Sequence, residues 1–317
     1  MSETTEVAKS RPLAWRWCLR AIGCILFIVI IAKVDFGKAM TLLKGVTSAQ
    51  IAVACALSLI ILILKAWRWH VFMVGLGFRD STRASFALSF NAFLWGFLTP
   101  GRLGEFKRAA YIMRRFGVPT ARAIMLCITD RIFDLAAIII VISLSVYHSG
   151  LIRAVGLVPI SAGVVLAASA GMAALVGAVL LIRSVPALRS KMAVVAKPAL
   201  NLFGLLHLTP TRLTSLVLLS VLSFAAYCLV IYVLATNVPV TFGFADLPLL
   251  VGGTMIVGVL PISIFNFGTR EAVLGLLLGA LHNSLEQVVA FSMLFVIAYI
   301  IQLGLSLALN AAFSRWA

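Results

Sequence analysis

Three small groups of ionisable residues interrupt an otherwise oily chain. Arg102, Glu105 and Arg108 follow Pro100-Gly101; Asp130, Arg131 and Asp134 sit inside an apolar run; Arg270-Glu271 follow Gly268. A charged side chain at the centre of a membrane helix costs about 2.5–3.5 kcal/mol unless it is paired or hydrated. A polar pathway or a ligand site would offset that cost. Arginine suits a phosphate group because its planar fork binds oxyanions bidentately. Gly101, Gly104 and Gly268 stand where a helix restarts, so their surroundings offer backbone N–H groups and a positive dipole end as an anion seat. Glu105 and Arg108 are three apart and Arg115 seven beyond Arg108, on one helical face. Asp130 and Asp134 share a face, and Arg131 can reach Asp134. Two readings follow. The acids complement helix dipoles and pair structurally with arginines, or the same network lines a hydrated cavity, changes partners between two states or carries a coupling proton. Asn91 and Asn266 are amides that could orient backbone at the two breaks. The candidate substrate-binding set is Arg102, Glu105, Arg108, Asp130, Arg131, Asp134, Asn266, Arg270 and Glu271.

Composition says what must position these groups. The 317 residues are 62% hydrophobic and 11% charged, with a mean hydropathy of +1.12. An ordinary soluble domain is about 45–50% apolar and 25% charged. The chain therefore reads as a polytopic membrane protein. Its apolar runs are continuous rather than alternating, which selects helices over a barrel. No long polar stretch leaves room within these residues for a soluble catalytic domain. The net charge of +16 fits either contact with anionic headgroups or the ordinary positive-inside bias. Cys18, Cys24, Cys55, Cys127 and Cys228 lie in or beside apolar runs and read as packing residues. Neither cysteines nor histidines fall at metal-ligand spacing, so no cofactor is expected.

In chain order, residues 1–16 read as a basic cytoplasmic leader to a first span at about Trp17–Ala32. Phe36–Val46 reads as an interfacial loop or helix. A second span at about Ile51–Trp69 ends in aromatic and basic residues; there Trp67 and Trp69 fit an interfacial belt and Lys65 and Arg68 can snorkel outward. Ser85–Leu98 is too short for the ~20 residues a crossing needs. It stops at Pro100-Gly101, and Arg102–Phe116 returns, which together read as a re-entrant hairpin. Full spans are expected at about Ala121–Tyr147, Leu157–Ile182, Leu213–Thr236 and Val288–Ala312, with a basic loop over 183–212. Within that loop Pro198–Leu208 reads as an amphipathic surface helix. Leu247–Leu260, stopped by Pro261, and Ala272–Leu281 form a second hairpin.

Glu105 and Glu271 stand 166 positions apart. A unit of span, hairpin and span thus recurs, over 51–147 and 213–312. Lysine and arginine concentrate in the leader, the loop after the second span, the first hairpin and the middle loop, which places both termini in the cytoplasm. The hairpins then enter from opposite faces, as inverted repeats. The expected fold is all-α, with about six transmembrane helices and two re-entrant hairpins. Paired, interrupted short segments of this kind point to a transporter site near the bilayer middle.

No nucleotide-binding loop and no nucleophile–base spacing is visible, so the chain does not read as an enzyme or a nucleic-acid binder. The segments KAWRW at 65–69, N-x(8)-PGRLGE at 91–105, DRIFD at 130–134 and P-x(6)-GTRE at 261–271 resemble the flippase-like family, also called the lysylphosphatidylglycerol synthase transmembrane-region family. The resemblance spans roughly residues 20–312. It departs at Asp130, where the family often has Glu, and it does not extend to the aminoacyl-transferase domain of full synthases. It therefore implies lipid translocation, or an accessory role beside a lipid-modifying enzyme or glycosyltransferase, and not lysyl transfer. The expected partners are membrane lipids with phosphate headgroups, in a bacterial inner membrane. An intramembrane transferase is the remaining alternative; the lipid and the oligomeric state are left open.

Overall fold

The computed structural model describes residues 36–145, 148–151, 208–258 and 268–313. The expected leader, the spans at Trp17–Ala32 and Leu157–Ile182, most of the basic loop, and the Pro261–Asn266 tip lie outside them.

The described residues are all-α. A short helix, α1 (Phe36–Leu42), continues into a 3-10 turn, so the segment read as loop or helix is helical. α2 (Ser48–Gly75) starts at a capping box between Thr47 and Gln50. Each side chain takes a backbone N–H that the helix leaves unpaired. α3 (Thr82–Leu98) is capped by the Ser81 hydroxyl. It stops because Thr99, forced out of the helical region by the following proline, is extended. A 3-10 segment, Pro100–Phe106, leads into α4 (Lys107–Phe116), which Gly117 ends in the left-handed conformation, φ 63°. α5 spans Thr120–Ser145. α6 (Pro210–Ala235) opens with a Thr209 cap and proline in its first turn. α7 (Leu247–Gly258), α8 (Thr269–Gly279) and α9 (Leu285–Phe313) complete the described chain.

Among the described residues three helices, α2, α6 and α9, are long and apolar enough to cross a membrane. α5 has the length but carries Arg122, Asp130, Arg131 and Asp134. α3, at 17 residues, is about 25 Å long at 1.5 Å per residue, and α7, α8 and α4 are shorter still. Large apolar side chains such as Ile60, Leu218, Leu222, Ile300 and Leu307 face outward, the surface expected of a protein whose solvent is lipid.

α2 and α6 form the central pair, and they are antiparallel. Gln50 at the start of α2 donates to the Val233 carbonyl and the Thr236 hydroxyl at the end of α6, at 2.8 and 2.5 Å. At the other end Arg212 reaches the Val74 carbonyl. Most of the remaining helix contacts fall in matched couples, those of α9 with α6 and α1 excepted. α2 packs on α3 as α6 does on α7; α3 on α4 as α7 on α8; α4 on α5 as α8 on α9. α9 lies against α2 and α3, and α5 against α6 and α7.

The chain reverses tightly after α3. A Cβ on Gly104 would lie 2.2 Å from the Trp95 carbonyl oxygen, and one on Gly96 2.5 Å from Glu105 Cγ. Only glycine allows the two arms to close to that distance. Two apolar cores flank the α2–α6 pair. One gathers α5 to α9 around Ile61, Ile231, Leu250 and Phe291. The other joins α2, α4, α5 and α6 around Trp69, Phe72, Ile112 and Leu126, and it borders the ionic cluster described next.

Candidate functional site

Arg68 organises the polar interior. α2 runs six residues beyond the Trp69 at which the sequence reading ended it. Arg68 therefore does not snorkel to the headgroups: it lies a turn and a half or more inside the helix and is 2% exposed. Its Nη2 pairs with Asp130 Oδ1 at 2.9 Å and its Nη1 with Asp134 Oδ1 at 2.7 Å. Nη1 also donates to the Ser220 hydroxyl on α6, which in turn donates to the Leu216 carbonyl. Trp69 is not a belt residue either. It is fully buried, whereas Trp67 on the other face is exposed.

Arg108, on the first turn of α4, enters the same cluster. Its Nη1 donates to Asp130 Oδ2 at 2.9 Å. The guanidinium lies between the rings of Trp69 and Phe93, 4.5 and 4.9 Å from their centroids. Aromatic faces stabilise a desolvated cation without consuming its donors. Nε and Nη2 of Arg108 find no hydrogen-bond partner among the described residues. Asp130 thus holds two guanidinium groups, one from α2 and one from α4.

Asp134, one turn on, accepts from Lys65 at 3.0 Å and from Arg68, with Arg131 at 3.7 Å. Arg131 reaches Glu105 with its other nitrogen, and Arg102 Nε pairs with Glu105 at 3.0 Å. Arg102 and Arg131 are the open members, with side chains 39% and 31% exposed; Glu105 is 7% exposed. Arg102 has φ 56°, a region where a branched-at-Cβ-free but non-glycine residue still carries strain. Among the described residues the connected network holds five cations, Lys65, Arg68, Arg102, Arg108 and Arg131, against three carboxylates, Glu105, Asp130 and Asp134, a formal excess of two positive charges. Between Glu105, Phe106, Arg108, Cys127, Asp130 and Arg131 lies a cavity of about 10 Å³, room for about one water.

The third group is smaller and separate. Arg270 Nη2 pairs with Glu271 Oε1 at 2.8 Å, and Arg270 Nε donates to the Ser292 hydroxyl on α9, which itself bonds Glu271. Glu271 also accepts the Gly268 N–H at 2.6 Å. The Gly104 N–H, in the corresponding place, donates to the Thr99 hydroxyl at 2.6 Å, and Gly101 sits in the 3-10 segment. At both Gly104 and Gly268 the N–H is taken by an acceptor of the chain itself. The expected residues thus gather in two places: Arg102, Glu105, Arg108, Asp130, Arg131 and Asp134 together, Arg270 and Glu271 apart. Asn266 is outside the described residues. Asn91 bonds Asn310 on α9 at 3.0 Å, tying α3 to α9 rather than orienting the reversal.

A model of the lysylphosphatidylglycerol synthase TM region matches residues 19–306. The chain belongs to this family. No curated protein matches it. Family membership and the helices together make it a helical membrane protein of a lipid-related family.

Three residues of the network were absent from the candidate set: Lys65, Arg68 and Ser220. A signal for Arg68 does exist. Ala54, Ser58, Ile61, Lys65, Arg68 and Phe72 recur at three- and four-residue intervals, a single stripe that faces the interior. Ser220 gives no such signal, since a serine in a membrane helix commonly bonds its own backbone.

Proposed function

We propose that this protein moves a phosphate-bearing membrane lipid across the bacterial inner membrane, with both termini in the cytoplasm. One observation carries the reading: a connected cluster that, among the described residues, has two positive charges in excess, with Arg68, Arg108 and Asp130 buried and Arg102 and Arg131 partly open, on helices that otherwise face lipid. Structural pairing alone would favour balance, because a cation withdrawn from water without a partner is costly. An anion supplied from outside restores it. A phospholipid, an aminoacylated phospholipid and a polyprenyl-linked lipid all offer a phosphate whose tails remain in the bilayer.

The route is read from the element pairing. In this proposal α3–α4 and α7–α8 are re-entrant hairpins entering from opposite faces, and the halves are inverted repeats related through the antiparallel α2–α6 pair. Rocking of one half on the other would expose Arg102 and Arg108 to one leaflet and Arg270 to the other. The carboxylates hold the arginines and favour a headgroup that also bears a cation. No step requires bond chemistry, so the protein is proposed to be a translocator and not an enzyme.

The test is reconstitution. Purified protein in vesicles should move a fluorescent phosphatidylglycerol between leaflets, and Arg270→Ala, folded and incorporated equally, should lose most of that rate. Unchanged transfer with Arg270→Ala rejects the proposal. A second reading has one observation in its favour: the cavity beside Arg108 holds only about one water. An accessory subunit of a lipid-modifying enzyme or glycosyltransferase needs no headgroup passage. It would copurify with that enzyme and leave leaflet exchange at the protein-free rate.

A further inference from the structure

We infer that Glu105 is an internal surrogate for the lipid phosphate: it occupies Arg102 and Arg131 beside the first reversal until a headgroup displaces it. The inference rests on the phosphate reading of the arginine cluster and adds how that site is kept closed. Glu105 is gripped by the two most exposed arginines of the network, Arg102 through one oxygen and Arg131 through the other. Its partners thus face outward while the carboxylate itself is buried. A residue serving only to neutralise the interior would be expected to pair with the deep cations, and those, Arg68 and Arg108, are held by Asp130 and Asp134 instead.

Space and charge fit the exchange. Gly96 provides the niche, since a Cβ there would lie 2.5 Å from Glu105 Cγ and 3.0 Å from Oε1. A phosphodiester carries one negative charge, as the carboxylate does, so replacing one by the other leaves the buried charge count unchanged. It also brings more acceptor oxygens. Arg108, 2% exposed, keeps Nε and Nη2 unpartnered among the described residues and lines the small cavity with Glu105 and Arg131. Glu105 makes no recorded bond to those donors; the additional oxygens of a phosphate could reach them while still holding Arg102 and Arg131. The second half differs: Glu271 is held by the buried Arg270 and by the Gly268 N–H, so the plug is assigned to the first reversal alone.

The experiment measures binding of dihexanoyl phosphatidylglycerol, a soluble short-chain probe, to detergent-purified full-length protein by calorimetry. Glu105→Gln removes the competing charge; Gly96→Ala keeps every charge but crowds the carboxylate out of its niche. If Glu105 is a plug, at least one variant binds the probe roughly tenfold more tightly than the unmodified chain. If Glu105 is a structural partner only, both variants bind no better than the unmodified chain, or unfold earlier and bind worse, and the inference is overturned. Leaflet exchange is measured on the same proteins. Tighter binding without exchange upholds the plug and rejects translocation; exchange with unchanged binding does the reverse.

Discussion

Asp130 stands between two guanidinium groups that no other described carboxylate can hold at once. Arg68 comes from α2 and Arg108 from α4, each at 2.9 Å, and both cations are almost fully buried. Removing the shared partner leaves the buried Arg108 without its carboxylate and Arg68 with Asp134 alone, so Asp130→Ala should cost about 3–5 kcal/mol. Asp130→Glu keeps the charge and should retain most of the stability; the check is thermal or denaturant unfolding of the purified variants in one detergent. Arg102 presents the opposite case. Its backbone sits at φ 56°, where glycine is free of strain, and its side chain is partly exposed. A position under structural selection alone would favour glycine. Arg102→Gly should therefore leave the unfolding midpoint unchanged or raised, and lower leaflet exchange by tenfold or more, on the order of one lost charge-assisted contact. Parallel loss of stability and exchange would mean that Arg102 holds the fold rather than the headgroup. The types and spacing of Glu105, Arg108, Asp130 and Asp134 were readable because charge is conspicuous in an apolar run. Who pairs with whom was not, since Asp130 is joined to Arg68 across 62 positions of sequence.

At the scale of elements, the reversal after α3 depends on two arms meeting at glycines. Gly104 approaches the Trp95 main chain, with O, C and Cβ all within 2.8 Å of a would-be Cβ. Backbone cannot swing aside as a side-chain tip can, so Gly104→Ala should destabilise by about 1–3 kcal/mol. Gly275, inside α8, has nothing within 4 Å of its would-be Cβ. Gly275→Ala should instead gain up to about 1 kcal/mol from helix propensity. Unfolding of the pair under identical conditions checks both signs, and a Gly104→Ala protein as stable as the original would deny the close approach its importance. Some helix ends were legible: Pro100 stops α3, and the return segment ends at Phe116 as expected, while α6 opens at Thr209-Pro210, three residues before the expected Leu213. The end of α2 was misplaced because an aromatic and basic cluster has two physical homes. Trp69 and Arg68 can lie at an interface or stack inside, and here Arg108 and the two aspartates supply the partners that favour the interior.

At the scale of the whole molecule, most helix contacts among the described residues follow an exchange pattern, and the proposed inverted repeat would account for it. Swapping α2 with α6, α3 with α7, α4 with α8 and α5 with α9 maps the principal helix pairings onto one another. The α6–α9 contact has its counterpart in the ion pairs that bind α2 to α5. Because α2 and α6 are antiparallel along their length, a relation between the halves must turn one of them over. The proposed consequence is that the loops flanking α3–α4 lie on one face and those flanking α7–α8 on the other. Single cysteines on a cysteine-free background make this measurable in intact cells and inverted vesicles. Positions Arg79 and Gly117 should react with a membrane-impermeant maleimide only from the cytoplasmic face. Phe244 and His282, which bracket α7 and α8, should react only from the opposite face. α3, at 17 residues, is about 25 Å long and falls short of a hydrocarbon core of about 30 Å, so the proposed hairpin returns Gly117 to the face of Arg79. Labelling of Arg79 and Gly117 from different faces would therefore break the hairpin, and with it the inverted relation on which alternating access depends.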